Sequence, residues 1–231
     1  MLYNLLAIAS VILMFFIIRY LLNVKYGELI LKIVSIGIFI FKTGQYAVLN
    51  IMGDITIPVE ISSISYFMVP IILTFSIKKL YHIASFFGML AGLGFYFFYI
   101  LFGFTLEPYV TLAQVLTGIF CHTYLFTAGF YLFKKYDFSK TKSWTIWAVI
   151  LGMIVFAMSF YGLTVKGITF IYWIINPQFL YIFPSIILNI LLLLVYYAFL
   201  IFAFYMSTKL FYNLNQKYTM KNKADNFEYA E

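Results

Sequence analysis

The chain has 231 residues, of which 65% are hydrophobic and only 10% are charged. A soluble globular domain usually carries about 25% charged residues, so this composition excludes an ordinary water-soluble protein and predicts a polytopic membrane protein. The formal net charge of +7 does not require a nucleic-acid partner, because the cytoplasmic loops of membrane proteins carry excess Lys and Arg.

Seven apolar segments follow one another along the chain, at residues 2–22, 29–51, 57–77, 83–104, 109–133, 144–163 and 182–211. Each is close to the length of about 20 residues that crosses a bilayer as a helix. They predict an all-α protein with seven transmembrane helices in a domain over residues 1–212. We expect residues 213–231 to form a polar, disordered cytoplasmic tail. The first segment has no Ala-x-Ala cleavage site, so we interpret it as a retained helix.

The positive charges alternate between the loops. They follow the first, third and fifth segments and recur in the tail, at Arg19, Lys25, Lys32, Lys78, Lys79, Lys134, Lys135, Lys140, Lys142, Lys209, Lys217, Lys221 and Lys223. The opposite loops contain only Asp54, Glu107 and Lys166, the last within the less regular stretch 164–181, which we interpret as a re-entrant or interfacial piece. The positive-inside rule therefore predicts an N-terminus outside and a C-terminus in the cytoplasm.

The fourth segment contains two glycines, Gly88 and Gly92, at GxxxG spacing. Residues spaced in this way lie on one face of a helix, and their small size lets a second helix approach closely. The spacing therefore predicts a close helix–helix contact at this face.

Two ionisable residues, Lys42 and Glu60, interrupt the second and third segments. Ionisable side chains within spans are costly and usually face a cavity or a partner. Lys42 lies roughly 13 Å below the outer end of its segment, at 1.5 Å per residue, and its long side chain can extend outward to pair with Glu60. The alternatives are that each side chain extends separately to the outer interface, or that the pair only holds two helices together.

His122 lies in the middle of the fifth segment, near the bilayer centre. One interpretation is a neutral, hydrogen-bonded packing residue; the other is a general base or proton carrier in a polar cavity. Cys121 is the only cysteine, so an intrachain disulfide and a Cys-rich metal site are excluded. Adjacent helix residues point about 100° apart, so we interpret Cys121 as a buried apolar residue and predict no Cys121–His122 dyad.

Three hydroxyls, Ser62, Ser63 and Ser65, follow Glu60. Serines in membrane helices often bond their own backbone or a neighbouring helix, but a serine within reach of a base can act as a nucleophile. If the chain is catalytic, Ser62 and His122 are the leading pair, and Glu60 orients or polarises them. The other candidate binding residues or hydrogen-bond donors are Lys42, Ser63, Ser65, Gln114, Asn176, Tyr66 and Tyr96.

Four stretches carry a resemblance to a known family. Residues 57–71, which contain Ile-Pro-Val-Glu-Ile-Ser-Ser-Ile-Ser and then Val-Pro-Ile, resemble the Leu-Pro-Leu-His/Gln-Leu-Cys-Asp-Ile-Ser…Leu-Pro segment of the bacterial YwaF-type integral membrane proteins. Residues 86–92 are similar to the family's aromatic-Gly segment, and residues 121–123 to its Ser-His-Gly. Residues 167–184 resemble its late Gly-Thr-Asn-Tyr…Pro…Pro region. The resemblance implies seven spans in a bacterial plasma membrane.

Eukaryotic relatives of that family are membrane acyltransferases of phospholipid remodelling, in which the motif cysteine accepts the acyl group and a histidine is the base. The resemblance places the nucleophile at Ser62, the base at His122, the family's His or Gln at Glu60 and its Asp at Ser63. Three of these four positions differ from the family's usual residue. A serine in place of cysteine can preserve acyl chemistry, because a Ser–His pair also forms esters.

Two functional hypotheses follow. The first is a lipid acyltransferase or hydrolase that draws membrane lipids laterally to Ser62 and His122. These residues lie roughly 8 Å and 18 Å below the outer surface by residue count, so helix tilt or a break must bring them together. The second is a binding or transport protein whose outward-facing polar pocket is lined by Lys42, Glu60 and His122. No cofactor, metal or nucleic-acid motif is found in the sequence.

Overall fold

A computed structural model describes residues 1–53, 57–106, 108–160 and 185–228 of the chain. The described residues are helical and contain no strand, which confirms the all-α prediction. Within them lie seven α-helices, α1 (Leu2–Asn23), α2 (Gly27–Ile51), α3 (Ile61–Thr74), α4 (Tyr81–Leu106), α5 (Leu112–Lys135), α6 (Ser143–Ser159) and α7 (Ile186–Glu228). Short 3₁₀ turns at Lys78–Leu80 and Lys140–Lys142 precede α4 and α6.

The helices coincide in order with the predicted apolar segments. Among the described residues, five helical stretches are long and apolar enough to cross a membrane by length and composition, and α3 is a shorter apolar helix. The five are Leu2–Asn23, Lys78–Leu106, Leu112–Lys135, Lys140–Ser159 and Ile186–Thr219. The structure therefore supports a multi-pass membrane protein. A sevenfold crossing and the orientation of the termini stay predictions.

The chain divides into two compact units. The first comprises Met1–Met52 and Ile61–Asp137, and the second comprises Gly53–Glu60 and Phe138–Glu231. In the first unit, α1 packs against α4 and α5 through a buried apolar cluster that consists of Ala7, Met14, Ile18, Tyr96 and Phe126. Glu60 belongs to the second unit.

The third helix is shorter than its predicted segment, because α3 has 14 residues between Ile61 and Thr74. Pro58 disfavours helical backbone at Ile57, and the Val59 amide donates to the Ile57 carbonyl at 2.9 Å, a three-residue turn that precedes the helix. At the other end, Ser76 has a positive φ of 54°. The amide of Ile77 donates to the Ile72 carbonyl at 2.9 Å and that of Ser76 to the Leu73 carbonyl at 3.1 Å, a Schellman arrangement that ends a helix.

A close helix–helix contact in the first unit forms at the two predicted glycines. A Cβ atom at Gly88 would lie 2.6 Å from the Leu125 carbonyl oxygen, and one at Gly92 would lie 2.5 Å from the Phe126 Cβ. Gly129 on α5 completes the seam, and the Ser85 hydroxyl donates to its carbonyl at 2.7 Å. The predicted close contact is confirmed, and α5 is the helix that makes it.

The last helix continues past the predicted end of the membrane domain. α7 runs from Ile186 to Glu228 as one helix of 43 residues, although we expected disorder after residue 212. The polar stretch 213–228 contains neither Gly nor Pro, so nothing in its composition interrupts the helix. Inside the second unit, the buried Asn215 side chain accepts a hydrogen bond from the Phe138 amide at 2.8 Å.

Candidate functional site

Lys42 is buried inside the first unit, where its side chain is only 8% exposed. Its ammonium donates to the Gln45 side-chain oxygen at 2.9 Å, as residues three apart on a helix can. It also lies 4.3 Å from the centroid of the Tyr66 ring, a cation–π distance. α2 and α3 therefore share a buried cation.

Tyr66 connects Lys42 to His122. The ring of Tyr66 meets the imidazole edge-on, with centroids 5.4 Å apart and planes at 69°. Tyr66 is itself buried on α3. The three side chains thus form a continuous row across α2, α3 and α5, which the sequence analysis did not predict.

His122 is held by two interactions from α4. Its Nδ1 lies 3.1 Å from the Ala91 carbonyl oxygen, and its ring stacks on Phe95 with centroids 4.0 Å apart. Because a carbonyl oxygen only accepts, Nδ1 carries the hydrogen and donates it, and a neutral ring then keeps its lone pair at Nε2. The close α4–α5 approach at Gly92 brings the two backbones near enough for this bond.

Cys121 is fully buried, as predicted. Its thiol is close enough to the Lys42 ammonium for a side-chain interaction. The neighbouring His122 instead bonds the α4 backbone, which agrees with the expectation that adjacent helix residues point in different directions.

The predicted serines occupy the first turns of α3. Ser62 and Ser63 are half-buried, whereas Ser65 is buried and its hydroxyl donates to the Ile61 carbonyl of its own helix at 2.6 Å. Ser62 and Tyr66 are four residues apart and share a helix face. No hydrogen bond joins Ser62 to His122 within the first unit as the structure describes it, so their pairing stays a prediction.

The remaining candidates lie apart from this row. Gln114 caps the start of α5: its side-chain oxygen accepts from the Thr111 amide at 2.8 Å, and the Thr111 hydroxyl accepts from the Gln114 amide. It is exposed, and this capping box occupies its side chain. Glu60 belongs to the second compact unit, and its pairing with Lys42 stays a prediction. Asn176 and the stretch 164–181 lie outside the described residues.

Tyr96, a second candidate donor, is engaged by α5. Its hydroxyl is hydrogen-bonded to the Thr123 hydroxyl, and the Tyr96 ring is buried.

The part of the chain that the structure describes holds no group of three or more His, Cys, Asp or Glu side chains placed to bind a metal ion.

A second polar cluster surrounds Glu28, just before the second apolar segment. Its carboxylate accepts hydrogen bonds from Tyr136 at 2.8 Å and Tyr81 at 3.3 Å, and it pairs with Lys32 at 3.1 Å. Burial by itself raises the pKa of this carboxyl, but the bonds from Tyr136 and Lys32, with the Lys32 charge, hold the pKa below its usual value. The cluster joins the start of α2 to the start of α4 and to the residue that follows α5.

Sequence reasoning missed several of these contacts. The spacing of Glu28 and Lys32, and of Lys42 and Gln45, is a local signal that predicts both pairs. No local signal identifies Tyr66 or Phe95, because aromatic residues make up 23% of the chain. The Ala91 carbonyl has no sequence signature at all.

Comparison of the chain with protein-family models, with curated proteins and with solved structures finds no match. The described residues form a helical protein whose long apolar helices are compatible with a multi-pass membrane protein, and the first compact unit contains a buried polar row of Lys42, Tyr66 and His122. The resemblance to the YwaF-type proteins stays a prediction.

Proposed function

We propose that this chain is a membrane-embedded lipid acyltransferase or hydrolase in which Ser62 is the nucleophile and His122 the base. The observation that carries the proposal is the bond between His122 Nδ1 and the Ala91 carbonyl at 3.1 Å. It orients the ring and selects the tautomer whose Nε2 accepts a proton, which is the role a third group has in Ser–His sites.

The position of α3 also supports the proposal. Tyr66 contacts the His122 ring, and Ser62 lies one turn away on the same face, about 6 Å along the helix axis. We expect the Ser62–His122 hydrogen bond to form when substrate binds, as in enzymes whose catalytic bonds tighten only with substrate.

In the proposed reaction, Ser62 Oγ attacks the carbonyl carbon of a lipid ester while its proton passes to His122 Nε2. The ester C–O bond then breaks, and the departing alcohol takes that proton. Water or the hydroxyl of a second lipid releases the acyl group from Ser62 by the reverse sequence. Water gives a hydrolase, and a lipid hydroxyl gives a transferase. Glu60, the residue before α3, would orient or polarise this pair.

Activity-based labelling tests the proposal. Purified full-length protein is exposed to a fluorophosphonate lipid probe, with Ser62→Ala, His122→Ala and Ser65→Ala beside the wild type. Ser65 is the matched control, because its hydroxyl is bonded to its own helix. We expect labelling of the wild type and of Ser65→Ala, and none of the other two. Equal labelling of Ser62→Ala and the wild type would show that Ser62 is not the nucleophile.

A second candidate function is binding or transport of a small solute or a proton. The buried row in which Tyr66 lies between Lys42 and His122 favours this second function, because ionisable groups inside spans often mark solute or proton paths. Proteoliposomes that carry the wild type or Lys42→Met separate the two functions. Solute or proton flux that depends on Lys42 and persists in Ser62→Ala supports transport.

A further inference from the structure

We propose that Lys42 and Gln45 form a binding site for an oxyanion, the carboxylate or phosphate head group of a membrane amphiphile. The site does not depend on the acyl chemistry proposed above, since Ser62 is not part of it. The inference begins with burial: the Lys42 side chain is 8% exposed, and a buried ammonium loses its hydration unless other groups compensate.

The contacts of Lys42 compensate this charge only in part. Within the first unit, its ammonium has one strong acceptor, the Gln45 oxygen at 2.9 Å, and no carboxylate of that unit lies within ion-pair distance of it. The Tyr66 ring and the Cys121 thiol are two further neighbours of the ammonium, and both are weaker acceptors than an oxygen atom. An anion with two or more acceptor oxygens would give the N–H donors of the ammonium stronger partners than this ring and this thiol.

Gln45 extends the site to the surface of the helix. Its oxygen accepts from Lys42, so its amide nitrogen keeps two N–H donors for a ligand. Gln45 is exposed, and it ends the polar stretch 42–45, Lys-Thr-Gly-Gln, of α2. An oxygen that contacts both the Lys42 ammonium and the Gln45 amide would bind at the edge of the bundle, where a bilayer component arrives laterally.

The surroundings favour an amphiphile over a free anion. The Phe41 ring lies 5.7 Å from the Lys42 ammonium and is 45% exposed. Ile40 and Val48 on the same helix are 65% and 54% exposed. A ligand with an anionic head and an acyl chain would place the head at Lys42 and the chain along these residues, whereas a free anion would lack the second contact.

Binding of tritiated oleate to the purified full-length protein in a non-ionic detergent tests the site. The variants are Lys42→Met, Lys42→Arg, Ser62→Ala and Lys25→Met, the last being a matched control that removes an exposed positive charge elsewhere. We expect Lys42→Met to bind at least about tenfold more weakly, as when a charge-assisted hydrogen bond is removed. Lys25→Met and Ser62→Ala should bind like the wild type, and Lys42→Arg more tightly than Lys42→Met.

Competition identifies the source of the oxyanion. Excess oleyl alcohol should not displace oleate, and acetate or inorganic phosphate should displace it only weakly. Displacement by phosphate at low concentration would support the same site with a free anion as its ligand. Equal binding by Lys42→Met and the wild type, or equal competition by oleyl alcohol, would overturn the proposal. Thermal unfolding verifies that Lys42→Met is folded, which we expect because Met removes a buried charge.

Discussion

The ammonium of Lys42 lies over the ring of Tyr66, 4.3 Å from its centroid. The same ring contacts His122, so one aromatic side chain on α3 separates a cation on α2 from an imidazole on α5. A tyrosine face is suited to this position, because its quadrupole attracts the cation while its edges pack against other rings.

This relationship predicts the effect of substitutions at Tyr66. Tyr66→Phe keeps the ring and should change the free energy of unfolding by less than about 0.5 kcal/mol. Tyr66→Leu removes the ring and should cost about 2 kcal/mol or more through the lost cation–π contact and imperfect packing. Unfolding by SDS in mixed micelles measures both. A double-mutant cycle with Lys42→Met isolates the pair, and a coupling energy near zero would contradict the contact.

Glu28 predicts a pH-dependent contribution to stability. Its folded-state pKa is below its unfolded value, so its contribution is complete above the unfolded pKa and is lost as the pH falls through the folded pKa. Glu28→Gln should therefore destabilise the protein by about 2 kcal/mol at neutral pH. The difference between variant and wild type should shrink below the usual pKa of 4.5.

Thermal unfolding across the acidic range measures this dependence. Tyr136→Phe is the companion variant, because it removes the 2.8 Å bond to the carboxylate and retains the charge. It should destabilise the protein by less than Glu28→Gln does. A difference between Glu28→Gln and wild type that stays constant down to the lowest pH would show that the carboxylate charge has no part in it.

The glycine seam between α4 and α5 predicts a sharp contrast within one helix. Gly88→Ala places a Cβ 2.6 Å from the Leu125 carbonyl oxygen, whereas Gly94→Ala meets nothing within 4 Å. Gly88→Ala should therefore cost about 1–3 kcal/mol through overpacking. Gly94→Ala should be neutral or stabilise by up to about 1 kcal/mol, since alanine is the better helix former. Equal stabilities of the two variants would contradict the close approach.

The second compact unit has its own test at Asn215. Asn215→Leu leaves the buried amide of Phe138 without the side-chain acceptor that lies 2.8 Å away, which should cost about 1–3 kcal/mol. Asn213→Leu is the control, because Asn213 is exposed on the same helix and its replacement should change stability by less than about 0.5 kcal/mol. Chemical unfolding in detergent compares the two variants.

Much of the helical framework was predictable from residue pattern. The apolar segments marked the places of α1 to α7, and the glycine spacing marked the packing face of α4. The differences were at helix ends: α3 begins at Ile61 and ends at Thr74, inside its predicted segment, and α7 continues through the polar stretch 213–228. Hydropathy records which residues avoid water, but helix ends depend on capping and backbone geometry that hydropathy does not measure.

The candidate site was predictable only in part. Lys42 and His122 stood out, because ionisable groups are rare in apolar segments. The contacts of both side chains with Tyr66 were not predictable from the sequence. The bond from His122 to the Ala91 carbonyl was not predictable either, because these two residues are 31 apart in the chain.

The sequence by itself determined that the chain is helical and suited to a membrane, because a largely apolar chain must satisfy its backbone hydrogen bonds within each segment. The tertiary structure decided which polar groups meet. The rotation of each helix about its axis, which the close packing at Gly88, Gly92 and Gly129 sets for α4 and α5, turns His122 to the Ala91 carbonyl. The packing of α2 on α3 places Lys42 over Tyr66.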